Sequence, residues 1–423
     1  MKKIILHLIA VIFLFSSCKH ENSNSSKSAN DIIIKDSLTG DLDELLKKTY
    51  IKGFGVSIIN QDSTLYVKGF GLSNIEEKTP YTEQTLQNIA SVSKTLIGIA
   101  LLKAQEMDIL HLDDPVSKYL PFEVSNPYYP SDIITIRNLA THTSSILDGE
   151  LYSNKSYILE NEDDFSLAKS LSTSKNFNLP NASMDMGTFL RNFLSQKGKW
   201  YTKNSYSEEK RPGEYYEYTN VGATLAAYII EKTSGQSFSE FTTKYILNPL
   251  NMSSSGWNNT SIETKRRTSL YAVDGKKIPN YRLITYPDGG LITSIEDMSK
   301  YLSELIKGYS GKGILLSKES YNEFFSKLLS ENNFENNRNT DNPYDDEYNS
   351  GIFIGHTPDG HIGHTGGDPG VSTFMFFNPK NNIGKILFIN TDLDQKGAQH
   401  FYEIWKKLEQ YEIKLGFRDK NNR

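Results

Sequence analysis

In Ser91-Val92-Ser93-Lys94 a hydroxyl stands three residues before an amine. On a helix, positions i and i+3 share a face, so Lys94 would lie beside the Ser91 hydroxyl. A serine hydroxyl is a weak nucleophile at neutral pH and needs a base next to it. A lysine in a desolvated site, or near other cations, loses proton affinity and can be that base. A helix N-terminus adds backbone N–H groups for a developing oxyanion. The same spacing occurs at Ser166…Lys169, Ser172…Lys175 and Ser207…Lys210. Only Ser91 opens a long apolar run, Leu96 to Leu110, which reads as a buried helix. Pro180 cuts off any helix begun at Ser172.

Tyr218-Thr219-Asn220 follows a Pro212-Gly213 turn and precedes an apolar run. On an extended loop, residues i and i+2 project the same way. The phenol could then relay a proton and the amide could bind a substrate carbonyl. Tyr152-Ser153-Asn154 has the same spacing but lacks the turn and the helix, so Tyr152→Phe is expected to be near neutral. Gly363-His364-Thr365-Gly366-Gly367 leads into a strand from Val371. Its glycines allow close approach of a substrate backbone, and an exposed strand edge could dock it. His356, His361 and His364 lack an acidic or cysteine partner at ligand spacing, so no metal is expected.

The elements that must position these groups are legible in outline. Asp41 to Lys48 is amphipathic and helical, with Leu42, Leu45 and Leu46 on one face. Gly55–Ile59 and Thr64–Val67 read as a hairpin, as do Val371–Phe377 and Ile383–Ile389. Gly222–Lys232 reads as a helix stopped by Gly235, and Ser294–Ile306 as a capped helix after Gly289-Gly290. A last helix puts Phe401, Ile404, Trp405, Leu408 and Tyr411 on one face. Strands at both ends with helices between predict one antiparallel sheet built from both termini, with a helical region inserted and a cleft at the junction.

The chain has 423 residues, net charge -5 and 37% hydrophobic content, with 25 tyrosines. Its length exceeds the ~250–300 residues at which one core stops growing, so two subregions are expected. The charge balance offers nothing to nucleic acid. Lys2, Lys3 and the apolar run Ile4–Phe15 form an export signal over residues 1–17, too short to span a membrane. Phe15-Ser16-Ser17-Cys18 resembles a bacterial lipobox, with Phe15 in place of the usual Leu. Cys18 is the lipidation candidate and the only cysteine, so no internal disulfide or thiol nucleophile is available. Residues 18–35 read as a flexible tether rich in Ser and Asn. The expected location is the periplasmic or cell-surface face of a bacterial membrane, reached through the lipid anchor.

Taken in order, S-x-x-K, Y-x-N and H-T-G resemble the triplet of the penicillin-recognising serine hydrolases: class C β-lactamases, DD-peptidases, D-aminopeptidases and related esterases. The resemblance runs from about residue 50 to 392. It includes Asp113–Pro121, Leu139-Ala140-Thr141-His142-Thr143-Ser144-Ser145, Ile246–Met252, Pro287-Asp288-Gly289-Gly290-Leu291 and Asn390. It implies an α/β (α+β) fold over residues 36–415. An antiparallel sheet flanked by helices would come from about 36–120 and 283–415, and an all-helical subdomain from about 121–282. It implies Ser91 as nucleophile, Lys94 and Tyr218 as proton carriers, and Asn220, His364, Thr365 and Gly366 as substrate-binding residues. The N–H groups of Ser91 and Gly367 would form an oxyanion hole, and no cofactor is implied. The expected substrates are D-amino-acid-containing peptides or carboxylic esters. β-Lactam hydrolysis, or a penicillin-binding sensor without turnover, is the alternative. His364 stands where many members carry Lys. It is expected to face the cleft, mostly neutral until an anionic substrate binds. Ser145 and Asn251 stand where glycine is usual.

Overall fold

The computed structural model describes residues 21–171, 175–257, 264–334 and 349–416, with side chains from residue 30 onward except at Thr264. Residues 1–20, including Cys18, lie outside it, as do Ser172 and most of the acidic stretch after Glu331.

The elements that frame the site are these. The helices are α1 (Glu21–Lys48), α2 (Lys94–Glu106), α3 (Gly149–Lys155), α4 (Asn220–Ser234), α5 (Ile295–Tyr309) and α6 (Gln395–Gly416). The strands of the main sheet are β1 (Gly53–Asn60), β2 (Thr64–Asn74), β3 (Thr79–Pro80), β4 (Gly355–His356), β5 (Ile362–Asp368), β6 (Val371–Asn378) and β7 (Ile383–Ile389). Their order is β4-β5-β6-β7-β1-β2-β3, and every adjacent pair is antiparallel. The sheet is thus built from both ends of the chain, joined where β1 pairs with β7, Phe54 opposite Ile389.

Both faces of this sheet are covered, and the two-residue period of the strands sorts the side chains. Phe374, Phe376, Leu387 and Ile389 pack with Leu38 of α1 and Phe401, Ile404, Trp405 and Leu408 of α6. Met375, Phe377, Ile386 and Phe388 point the other way, into the larger core with Met298, Leu302, Leu305 and Ile306 of α5. The helix α2 is buried from Lys94 to Leu102.

Two expectations need correction. Residues 18–35 were expected to be flexible, yet the described part, from Glu21, is helical and continuous with α1. Docking decides it: Leu38 and Leu42 are fully buried against α6, and the Tyr411 hydroxyl contacts Ser37 Oγ at 2.7 Å and donates to Asp41. A helix nucleated by such packing propagates at little cost. The inserted region is also not purely helical. Tyr157–Leu159 pairs with Tyr281–Leu283 and Phe177–Asn178 in a small sheet, and Leu270–Tyr271 pairs with Lys277–Ile278. Aromatic and β-branched residues in those short runs favour strand. Ser145 and Asn251, the positions where glycine is usual, have φ of 61° and 54°, the left-handed region where glycine costs nothing.

Candidate active site

Ser91 lies on a 3-10 turn, Ala90–Ser93, that runs directly into α2. Ala90 before it has φ 48°, an uncommon state for a residue with a Cβ. Neighbours hold the turn there: Ala90 N–H donates to Asn88 Oδ1, and Thr373 Oγ1 of β6 donates to the Ile89 carbonyl. Gly366 of β5 presses on the same turn. A Cβ there would stand 2.5 Å from Ile89 O and 3.1 Å from Ser91 N. Gly367, next along the strand, is exposed with open space beside its α-carbon.

Lys94 is completely buried. Its Nζ is 3.0 Å from Ser91 Oγ and donates to Asn220 Oδ1 and to the Asp288 carbonyl, each at 2.7 Å. An ammonium can donate to all three oxygens. A neutral amine donates to two and offers its lone pair to the Ser91 O–H, so the arrangement can pass a proton between Ser91 and Lys94 without moving heavy atoms. Two of the competing pairs lack this geometry. Ser166 and Lys169 are both exposed, and Lys210 pairs with Glu217 at 3.0 Å. Ser172 lies outside the described residues.

Tyr218 enters from the loop before α4. Its ring centroid is 5.0 Å from Lys94 Nζ and 6.4 Å from the His364 ring. Thr219 caps α4, so Asn220 is the first residue of the helix rather than part of an extended loop. Asp148 sets its amide: one carboxylate oxygen accepts from Asn220 Nδ2 at 2.8 Å, and the two together accept from Thr219 Oγ1 and the N–H groups of Asn220 and Val221. A carboxylate at a helix N-terminus suits its dipole. The Asn220 carbonyl oxygen faces Lys94, so here the amide orients the amine.

His364 is nearly buried. Its Nδ1 lies 2.5 Å from the Thr365 carbonyl, and its Nε2 3.1 Å from Asn349 Nδ2. The carbonyl contact requires a proton on Nδ1, which leaves Nε2 to accept from the amide.

Sequence reasoning missed the layer behind these groups. The Asp288 carboxylate is fully buried and accepts from Tyr152 OH at 3.0 and 3.1 Å and from Thr224 Oγ1 at 3.0 Å. Burial pushes it up to about 7, against the pull of Lys94. The Asp368 carboxylate, at the end of β5, contacts Tyr157 OH at 2.5 Å and is pushed up to about 6, again chiefly by burial. Tyr152, which its local sequence presents as a bystander, thus touches the residue whose carbonyl receives Lys94. The only sequence signals were the Pro287-Asp288-Gly289-Gly290 run, which carried no assigned role, and an unusual tyrosine content.

A Beta-lactamase family model matches residues 38–409. Protein flp of Staphylococcus aureus (strain COL) is 26% identical over 374 residues, 87% of this chain and 64% of that protein. PbpX of Bacillus subtilis (strain 168) is 26% identical over 328 residues, 76% of this chain and 66% of that protein. The chain thus spans about two thirds of the length of the curated relatives it matches. Among solved structures, the octameric penicillin-binding protein homologue from Pyrococcus abyssi superposes with a TM-score of 0.64 at 25% identity, covering 84% of this chain and 73% of that one.

Proposed function

The chain belongs to the beta-lactamase family, and from that premise we propose that it is a serine hydrolase acting through an acyl-enzyme on an amide or ester. The observation that carries this reading is the buried Lys94 amine 3.0 Å from the Ser91 hydroxyl. Neutral Lys94 takes the Ser91 proton as Oγ bonds to the carbonyl carbon. The carbonyl pair moves onto oxygen, where the N–H groups of Ser91 and Gly367 meet the charge. Tyr218 gives its phenolic proton to the leaving nitrogen or oxygen as the carbonyl re-forms and that bond breaks, and protonated Lys94 returns the Ser91 proton to the phenolate. Water then attacks the Ser91 ester along the reverse path and releases the acid. The substrates proposed are peptides containing a D-amino acid or carboxylic esters, bound along Thr365 and Gly366 beside His364 and Asn220. β-Lactam turnover is expected to be slower, because His364 does not supply the fixed ammonium that a lysine would bring to the antibiotic's carboxylate.

The test is covalent. A fluorophosphonate should label Ser91 alone, and Ser91→Ala should abolish both labelling and turnover of p-nitrophenyl esters or D-aminoacyl amides. An adduct mapped to another serine would overturn the assignment. The anchoring proposal is separate: Cys18→Ser should move the protein from the membrane to the soluble fraction with unchanged specific activity. Retention in the membrane would refute it. Among the described residues no helix is long and apolar enough to cross a membrane.

A further inference from the structure

We propose that His142 is a positioning residue for Tyr218, clamping the phenol in register with Lys94 and Ser91. The inference rests on the proton relay proposed above. His142 reaches Tyr218 in three ways. Its main-chain carbonyl accepts from the N–H of Glu217 at 2.7 Å, on one side of the tyrosine. Its ring Nδ1 accepts from the N–H of Thr219 at 3.2 Å, on the other side. Its ring stacks on the Tyr218 ring, centroids 4.5 Å apart and planes 28° apart. One residue therefore holds the chain before and after Tyr218 and packs on the face of the phenol between.

The molecule accepts two local costs to keep this residue in place. His142 has φ 55°, the left-handed region where a side chain with a Cβ is strained. Its Nε2, which carries the proton when Nδ1 accepts, is fully buried and finds no hydrogen-bond partner among the described residues, a second cost. A merely space-filling side chain would need neither. The ring is wedged edge-on between Tyr216, at 5.8 Å, and Phe353, at 5.2 Å. Phe353 N–H is in turn bonded to the Ala140 carbonyl, on the same segment as His142. Burial, with Lys94 and His364 adding to it, holds the imidazole well below its ordinary range, so Nδ1 stays an acceptor at neutral pH. A protonated ring would set a donor against the Thr219 N–H and open the clamp.

The probe is the rate of Ser91 labelling by a fluorophosphonate, which reports activation of the nucleophile whatever the natural substrate is. His142→Ala should slow labelling by about 10- to 100-fold, at or below the lower end of the 10²–10⁴-fold range of general acid–base help, because the phenol is displaced rather than removed. His142→Asn should recover part of the loss, because asparagine tolerates the left-handed backbone and offers an acceptor to Thr219. In a Tyr218→Phe background either substitution should change the rate less than about twofold, since the two residues act as a unit. If His142→Ala does not fold, His142→Asn carries the same cycle. Equal losses in both backgrounds, or no loss with Tyr218 intact, would overturn the proposal. If Tyr218→Phe alone leaves the rate unchanged, the relay itself is wrong, an outcome distinct from a failure of the clamp.

Discussion

Lys94 and Asp288 are coupled through the main chain, because the carbonyl that receives the Lys94 amine belongs to the residue whose carboxylate Tyr152 and Thr224 hold. Tyr152→Phe removes a donor to both oxygens of that buried carboxylate. A buried acceptor left short of a partner costs about 1–3 kcal/mol, and any shift of Asp288 moves its carbonyl away from Lys94. The expected outcome is a lower melting temperature together with labelling of Ser91 slowed about tenfold. Unchanged values of both would mean that the phenol contact does not bear on the site. The meeting of Ser91, Lys94 and Tyr218 was readable because each sits in a short run with its own spacing. The Tyr152–Asp288 contact was not readable because the partners lie 136 residues apart, where no spacing rule reaches.

At the scale of elements, β7 and α6 share a buried ion pair. Lys385 lies on a central strand and is completely buried, on the face of Ile383, Leu387 and Ile389. It meets Glu412 of α6 and sits over the Trp405 ring, 5.3 Å from its centroid. Two buried charges gain little net stability as a pair, but removing one strands the other, at about 3–5 kcal/mol. Glu412→Ala should therefore destabilise the protein by that order in urea denaturation. The double replacement Lys385→Met with Glu412→Leu should recover most of the loss. A double variant as unstable as Glu412→Ala would show that the pair contributes a net stabilisation of its own. The strand and the helix were each legible from periodicity, whereas a lysine alternating with Ile383 and Leu387 could not reveal its own burial.

For the whole molecule, the raised carboxylates set a pH dependence opposite in sign to the usual one. Asp288 is pushed up to about 7 by burial, from an ordinary 3.8, so the folded state holds its proton more tightly than the unfolded chain. Stability is favoured below the ordinary value and lost as pH rises from about 4 through about 7, by at most about 4 kcal/mol from this group. Asp368 acts in the same sense. His142, held low, opposes them below its ordinary 6.5, where the unfolded chain gains a proton that the folded ring refuses. Comparing wild type with Asp288→Asn isolates the first effect: the melting-temperature advantage of the variant should grow between pH 5 and pH 8, and a constant difference would refute the assignment. The sequence by itself determined the pairing of the Ser91 hydroxyl with the Lys94 amine, the helix stop at Gly235, the cap at Ser294 and the terminal hairpins, because hydroxyl–amine spacing, capping and turn chemistry are local properties. Only the tertiary structure decided that residues 21–35 are helical, that Asp148 orients Asn220, and that Asp288 and Asp368 lie buried against Tyr152 and Tyr157. Docking and desolvation depend on segments more than a hundred residues apart folding against one another, and no local pattern encodes that.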